Sequence, residues 1–435
     1  MRDGARDTAM AFGTRLAVFG TSVAIQSALA WLLGPEGRGA YAVCLLFATF
    51  LATVFTFGTD RAGQYLTASR AVSVEEGTWA TIVAVILGSG LAVAVGWALM
   101  ALDLPFFDKA PRGSFYVSFA IMPVSALSVA LVLLLAGLRR FTHFAIVSIA
   151  NVAMQLGLSL LLIGVLELGV NGALLAVLGG NGLSVTLCLK CLSDSGDLGR
   201  VHLSYSHFRR LLFYGLRYYV ARLSNLVHFR VGTIILSFVA GAADIGFFAA
   251  ASGLVSRIVM VPNAIQAALF SRVAEDRDGR PELVARAARI SALACGVALV
   301  VLSALARPVV STFLSPRFLP SVALVWIMVP GIFMRCASKV LMSYFMGTDR
   351  PGVCSWAVGL GVVVNVATLL ILLPVFGLPG AAVAMTAGYI TSSLILILSF
   401  NRAVQRPFGE VWFPRGDDVR ILWELGRGLL RRRSK

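Results

Sequence analysis

Eight cations stand where cations are costly. Arg15, Arg61, Arg217, Arg222, Arg230, Arg257, Arg335 and Lys339 all fall inside long apolar runs, and the one carboxylate clearly within such a run is Asp60. An ionisable side chain in a bilayer-spanning segment marks a functional site by default, because a charge there is expensive. Such an excess of positive groups specifies a surface for an anion. Arg and Lys both bind phosphate well, Arg through a planar two-pronged guanidinium. A hydrophobic anion carrying phosphate is therefore the natural ligand. Helical spacing groups the residues further, since positions roughly one, two or three turns apart share a face. Arg15, Ser22 and Gln26 form one stripe, and Tyr218, Arg222 and Asn225 another, with Arg230 on its margin. Arg257 lies near Ser252, Ser256 and Asn263, and Arg335, Lys339 and Ser343 follow one another at i,i+4. Asp60 is spaced to pair with Gln64, and Arg61 with Tyr65.

The expected ligand-binding set is Arg15, Arg61, Arg222, Arg230, Arg257, Arg335, Lys339, Gln26 and Asn225, with Asp60 a local ion-pair partner for one arginine. Arg15, Arg61, Arg217 and Lys339 also sit near enough to one membrane face to snorkel. Asn151, Gln155 and Ser159 make a further polar stripe. It reads as hydrogen-bonded glue between helices, at about 0.6 kcal/mol per bond. No catalytic set, metal site or cofactor is expected; coupling to Na+ or H+ is left open.

The elements that carry these residues are membrane helices. Of 435 residues, 58% are hydrophobic and 13% charged, where a soluble domain would hold about a quarter charged. Apolar runs long enough to cross a hydrocarbon core of about 30 Å recur along the chain. The fold class is all-α, a polytopic membrane protein of about twelve transmembrane helices. They are expected near 9–33, 39–66, 78–102, 114–138, 142–166, 171–192, 212–240, 244–270, 285–314, 319–346, 351–373 and 377–400. Gly34-Pro35-Glu36-Gly37 and Leu378-Pro379-Gly380 mark turns, and Pro308 should kink or end the overlong ninth span. The net charge of +16 then belongs at an anionic membrane surface, and no nucleic-acid partner is implied. With the N-terminus inside, cytoplasmic segments hold 24 Lys/Arg and outer turns five, Arg38 and Arg317 among the latter. That asymmetry places both termini in the cytoplasm. Six of the eight intramembrane cations fall in the cytoplasmic half, which suits loading from inside. An inside-negative potential favours outward movement of an anion by about 2.3 kcal/mol per charge per 100 mV.

The outer loops are too short for a catalytic domain. Ser204–Leu212 reads as an interfacial helix, and 403–435 as an amphipathic basic tail on the inner leaflet closed by Arg431-Arg432-Arg433. The six cysteines mostly sit in apolar runs, and the single Cys188-Leu-Lys-Cys191 pair reads as buried apolar filling. The first segment reads as an uncleaved membrane helix rather than a signal peptide.

The two halves echo each other. Gly39-Ala40-Tyr41-Ala42 recurs as Gly246-Phe247-Phe248-Ala249, Gly137-Leu138-Arg139-Arg140 as Gly347-Thr348-Asp349-Arg350, and Gly169–Ala173 as Gly377–Ala381. Six spans per half is an even number, so the halves run parallel, related by an axis along the membrane normal. This predicts a six-helix lobe over 1–200, a second over 201–402, and a central cationic cavity shared by them.

Several stretches carry a resemblance. They are Leu33-Gly34-Pro35-Glu36-Gly37-Arg38-Gly39-Ala40-Tyr41-Ala42, Ile245-Gly246-Phe247-Phe248-Ala249-Ala250-Ala251, Val261-Pro262-Asn263-Ala264-Ile265, Leu269–Ala274, and Asn365 with Val375–Ala382. From about residue 10 to residue 400 the chain resembles the polysaccharide-type flippases of the multidrug/oligosaccharidyl-lipid/polysaccharide exporter (MOP) superfamily, the O-antigen (Wzx-type) flippases among them. The resemblance implies a two-lobed bundle working by alternating access in the bacterial inner membrane. It implies a cargo of polyprenyl-diphosphate-linked oligosaccharide, a cavity lined by the first, second, seventh and eighth spans, membrane lipids as partners, and a glycan polymerase as a further one. The sequence departs at Arg230-Val231-Gly232, where relatives often carry an Asp; that bears on cation coupling. The two additional C-terminal spans of lipid II flippases are missing, which disfavours a peptidoglycan precursor. The expected function is thus a flippase for lipid-linked oligosaccharide, not an enzyme. The alternatives are a cation-coupled multidrug exporter of the same superfamily, which would need intramembrane carboxylates, or a membrane glycan polymerase or ligase, which would need a sizeable outer loop.

Overall fold

The computed structural model describes residues 2–69, 72–198, 204–274 and 281–405. Within these, the side chains at 2–12, 15, 16, 217, 218, 220–222, 224, 225, 227–229, 268, 271, 272 and 274 lie outside the description. The chain is helical throughout, with no strand among the described residues. In order, the helices are α1 (Arg2–Phe55), α2 (Thr59–Ala68), α3 (Val74–Ala101), α4 (Arg112–Gly137), α5 (Phe141–Ser159), α6 (Gly169–Asp194) and α7 (Tyr205–Val239). They continue as α8 (Ala242–Ser256), α9 (Met260–Ala274), α10 (Pro281–Ala304), α11 (Ala306–Val309), α12 (Ser321–Gly347), α13 (Pro351–Phe376) and α14 (Leu378–Val404). Ten spans among the described residues are long and apolar enough to cross a membrane.

Two features explain why that tally differs from twelve. α1 enters it once, as Ala17–Phe55, although it is two arms. Gly34 sits at φ 65°, ψ −174°, a conformation that glycine alone adopts readily. Pro35 follows it, suited to the first turn of a new helical arm. α7 enters only through its apolar stretch Arg230–Val239. The expected second span is also divided. Phe57 and Gly58 both have positive φ, so the second arm of α1 stops at Phe55 and α2 starts afresh at Thr59. In the ninth span, α10 ends at Ala304, four residues before Pro308, the carbonyl with which a proline ring clashes.

The chain divides into two compact units. The first comprises Met1–Leu226, Thr233–Gly246 and Phe313–Arg317; the second comprises Val227–Gly232, Phe247–Thr312 and Phe318–Lys435. In the first unit, Ile82, Leu131, Leu134, Leu135, Val147 and Leu192 form a core together with Cys188 and Cys191. The CxxC thiols are thus core filling, and both are unpaired cysteines. The start of α7 rests on α2 and α3 through Leu211, packed with Ala62, Leu66, Ala80 and Ala84. Tyr65 and Tyr214 stack there at 5.4 Å, and His207 Nδ1 stands 3.3 Å from Glu76 Oε2. In the second unit, α12 and α14 pack about Val340, Leu341, Phe345, Leu396, Ile397 and Phe400.

The sequence echoes carry matching local geometry. Arg139 and Asp349 end α4 and α12 at φ 58° and 56°. The next amide reaches back across each turn, Arg140 N–H to Leu135 O at 2.9 Å and Arg350 N–H to Phe345 O at 2.8 Å. This is the Schellman closure of a helix end, made twice at equivalent places. Deeper in, a Cβ on Gly180 of α6 would lie 2.8 Å from Asn151 O and 2.6 Å from Gln155 Cγ of α5. A Cβ on Gly388 of α14 would lie 2.7 Å from Gly361 O and 2.8 Å from Asn365 Cβ of α13. The same close helix contact is built in each unit. Its polar content differs. In the first unit Gln155 donates to Asn151 Oδ1 at 3.2 Å and Asn151 to Asn181 Oδ1 at 3.3 Å, the interhelical glue expected of that stripe.

Candidate functional site

The first arm of α1 carries Arg15, Ser22 and Gln26. The side chain of Arg15 lies outside the described residues. Ser22 Oγ donates to Val18 O at 2.6 Å, so its hydroxyl proton is spent on its own helix. Gln26 is held by a residue that the charge count assigned to an outer turn. Arg38 is 5% exposed. Its Nη2 donates to Gln26 Oε1 at 3.0 Å and its Nη1 to Gln26 O at 3.4 Å. The break at Gly34 makes this possible, because it lets the second arm return a side chain to the first. The second arm is fixed in turn: a Cβ on Gly39 would run into Ala242 O, and one on Gly246 into Pro35 O.

The expected pairings in the second span are rearranged. Arg61 is exposed and its Nη1 donates to Gln64 Oε1 at 3.1 Å. Gln64 is therefore taken by Arg61, and Tyr65 stacks on Tyr214 instead. Asp60 is buried in the first turn of α2, where unsatisfied amide groups and the helix dipole favour a carboxylate. The new helix start at Thr59 supplies that environment, which the reading of one unbroken span over 39–66 could not.

On α7 the side chains of Arg217, Tyr218, Arg222, Asn225 and His228 lie outside the described residues. Arg230 is described and exposed. Arg257 is half-buried at a local break: residues Arg257–Val259 form a 3-10 turn between α8 and α9. Pro262 is the cause. It has no N–H to give to Ile258 O four residues back, and the Cys295 thiol lies 4.0 Å from that oxygen instead. The break sets the direction in which Arg257 leaves the helix. Pro262→Ala should restore the α-helical bond, redirect Arg257 and cut transport several-fold, while the melting temperature holds or rises; transport assays and thermal unfolding on one preparation check this.

α12 presents Arg335 and Lys339 one turn apart. Arg335 is 6% exposed, with its guanidinium carbon 4.6 Å from the centre of the Tyr389 ring of α14. A desolvated cation–π contact of this kind contributes about 2 kcal/mol. One turn away Ser338 and Ser393 share a hydrogen bond at 2.8 Å between the same two helices. Arg335 is thus built into the α12–α14 packing, whereas Lys339 is half-buried. Sequence reasoning missed Tyr389. Its signal was the repeat itself, because Tyr389 stands at the place that Asn181 holds in the first half. Asn365 is buried with its Oδ1 unbonded among the described residues.

The site residues divide between the units. Arg15, Gln26, Asp60, Arg61, Arg222 and Asn225 belong to the first; Arg230, Arg257, Arg335 and Lys339 belong to the second. Two ion pairs between described residues lie at helix ends, Arg112–Asp103 at 2.6 Å and Arg140–Asp197 at 2.5 Å. No group of three His, Cys, Asp or Glu positioned to hold a metal occurs among the described residues. What the arrangement offers chemically is donors and positive charge.

Comparison with known proteins agrees with this architecture. The model of the family described as polysaccharide biosynthesis protein matches residues 7–276. No curated protein matches the chain. Among solved structures, the chain is similar to an inward-facing multidrug resistance MATE family transporter of the MOP superfamily, with 15% identity over 88% of this chain and 94% of that one, at a TM-score of 0.68. It is similar to the lipid II flippase MurJ in an inward closed conformation, with 15% identity over 92% and 89% and a TM-score of 0.67. It is also similar to the eukaryotic MATE transporter AtDTX14, with 16% identity over 94% and 97% and a TM-score of 0.63. These structural neighbours are themselves transporters and a flippase. The chain belongs to the polysaccharide biosynthesis protein family, and it has the helical, multi-pass fold of those transporters.

Proposed function

We propose that this protein carries a polyprenyl-diphosphate-linked oligosaccharide from the cytoplasmic to the outer leaflet of a bacterial inner membrane. The observation that carries the reading is the charge excess: away from the span ends stand Arg15, Arg61, Arg217, Arg222, Arg230, Arg257, Arg335 and Lys339, against Asp60 as the one carboxylate clearly within a span. A diphosphate attached to a long apolar tail is an anion that lives in the membrane, and a surface of guanidinium and ammonium groups is complementary to it. The family's link to polysaccharide biosynthesis and the likeness to a flippase named for a lipid-linked cargo support a glycan on that anchor. Alternating access by two six-helix lobes, 1–200 and 201–402, is the working cycle we infer, with both termini in the cytoplasm. Arg230 and Arg257, exposed and half-buried in turn, hold the head group on the second half together with Arg335 and Lys339, and Arg15, Gln26, Arg61, Arg222 and Asn225 complete the set.

Binding to the purified protein tests this. Farnesyl diphosphate should bind saturably, at least about tenfold tighter than farnesol; removal of charge-assisted hydrogen bonds worth about 1.5–3 kcal/mol each gives that scale. Equal affinity for farnesol, or tighter binding of a cationic dye than of the diphosphate, would overturn the reading in favour of a multidrug exporter.

A further inference from the structure

We propose that Arg38 is a positioning residue that turns Gln26 into a donor-only contact for the oxygens of an anionic cargo. The inference rests on the anionic-cargo reading above. Arg38 is buried, and its guanidinium meets both the side-chain oxygen and the backbone oxygen of Gln26. A guanidinium has donors and no acceptor. The atom of Gln26 that faces it must therefore be the carbonyl oxygen, and the amino group of the amide must point the other way. No described residue accepts from that amino group, and Gln26 is only half-buried. Its two N–H donors are thus presented on the stripe that holds Arg15 and Ser22, fixed in sense by a charge that itself stays hidden. A free glutamine offers donor and acceptor alike and can reverse its amide; this one offers donors only. The positive charge behind it also polarises the amide and strengthens those donors.

The backbone holds Arg38 in place for this role. Gly34 breaks α1, so that residue 38 can reach back across twelve positions to residue 26. The arm bearing Arg38 is seated by the Gly39–Gly246 contact, where each would-be Cβ lies 3.0–3.2 Å from the other's amide nitrogen. A phosphate oxygen or the amide carbonyl of an N-acetylated sugar accepts hydrogen bonds and fits such a contact. A cationic or donor-rich head group does not. Gln26 and Arg38 thus add selection for acceptors to the attraction for negative charge.

The test separates this role from a plain brace between the two arms. Gln26→Glu keeps the Oε1 acceptor and converts the contact with Arg38 into an ion pair, so a brace would be held at least as well. It removes both N–H donors and presents a carboxylate oxygen to the cargo. Farnesyl diphosphate affinity should fall about tenfold or more, with the melting temperature of the full-length protein unchanged or raised. Gln26→Met should lose affinity too. Arg38→Lys, which still faces the oxygen with a donor, should retain more binding than Arg38→Leu. Wild-type affinity in Gln26→Glu would overturn the assignment and leave a structural brace. If the wild-type protein itself shows no saturable binding of farnesyl diphosphate, the anionic-cargo reading fails, and this inference with it.

Discussion

A chain carrying Arg222→Ala, Arg230→Ala and Arg257→Ala together should reach the membrane at wild-type abundance and export no surface glycan. Each guanidinium can offer a two-pronged, charge-assisted contact to phosphate. Such a bond is worth about 1.5–3 kcal/mol, so the loss of one costs at least about tenfold in affinity and the loss of three more than a thousandfold. Removing them should not unfold the protein, because a cation in an apolar segment contributes little to insertion and its replacement by Ala lowers the insertion cost. Arg230 is exposed and Arg257 half-buried, so neither substitution opens a large core cavity. Immunoblotting of membranes reads the abundance, and a glycan-specific stain of the cell surface reads export. Full export by the triple variant would dismiss these arginines as cargo contacts. Arg335 is the contrasting case. Buried against Tyr389, it is bound up with helix packing, and its loss would confuse stability with binding.

Gly39→Ala and Gly246→Ala should each lower the yield of folded protein sharply. A methyl on Gly39 would overlap the Ala242 carbonyl, and one on Gly246 would overlap that of Pro35. Overpacking typically costs about 1–3 kcal/mol. Here the obstacle is backbone, which cannot swing away like a side chain, so the upper end of that range is expected. Gly90→Ala is the matched control, since nothing lies within 4 Å of the added carbon. It should hold or gain stability through helix propensity, by up to about 1 kcal/mol. Thermal unfolding of the three purified variants checks this. A wild-type melting temperature for Gly39→Ala would show that the contact loosens without cost.

Much of the fold was legible because membrane helices are written in apolar length and punctuated by Gly and Pro. Pro308 ended α10 at Ala304, and the repeated Gly137–Arg140 and Gly347–Arg350 segments close their helices with the same hydrogen bonds. The interior of the second span was not legible. Phe57 takes a positive φ that its side chain disfavours, and no local pattern announces a strained phenylalanine. For the same reason Asp60 was placed mid-span, when it occupies a helix start.

Site residues divide along similar lines. Spacing along one helix found Arg335 and Lys339 together and the Asn151–Gln155 bond. It could not find Arg38, because a count of turn charges carries no information about a side chain folding back over a glycine break to meet Gln26. Nor could it find Tyr389, whose ring matters only through a neighbour far away in sequence. Periodicity reports which residues share a face of one helix, and tertiary contacts decide what that face meets.

The most direct measurement of the central claim is translocation in proteoliposomes that contain the purified protein and a defined polyprenyl-diphosphate-linked oligosaccharide. Accessibility of the glycan to an enzyme added outside reports its crossing. The account predicts protein-dependent crossing, faster with the potential negative on the cytoplasmic side and abolished in the Arg222, Arg230 and Arg257 triple variant. Crossing at the wild-type rate in that variant would contradict it.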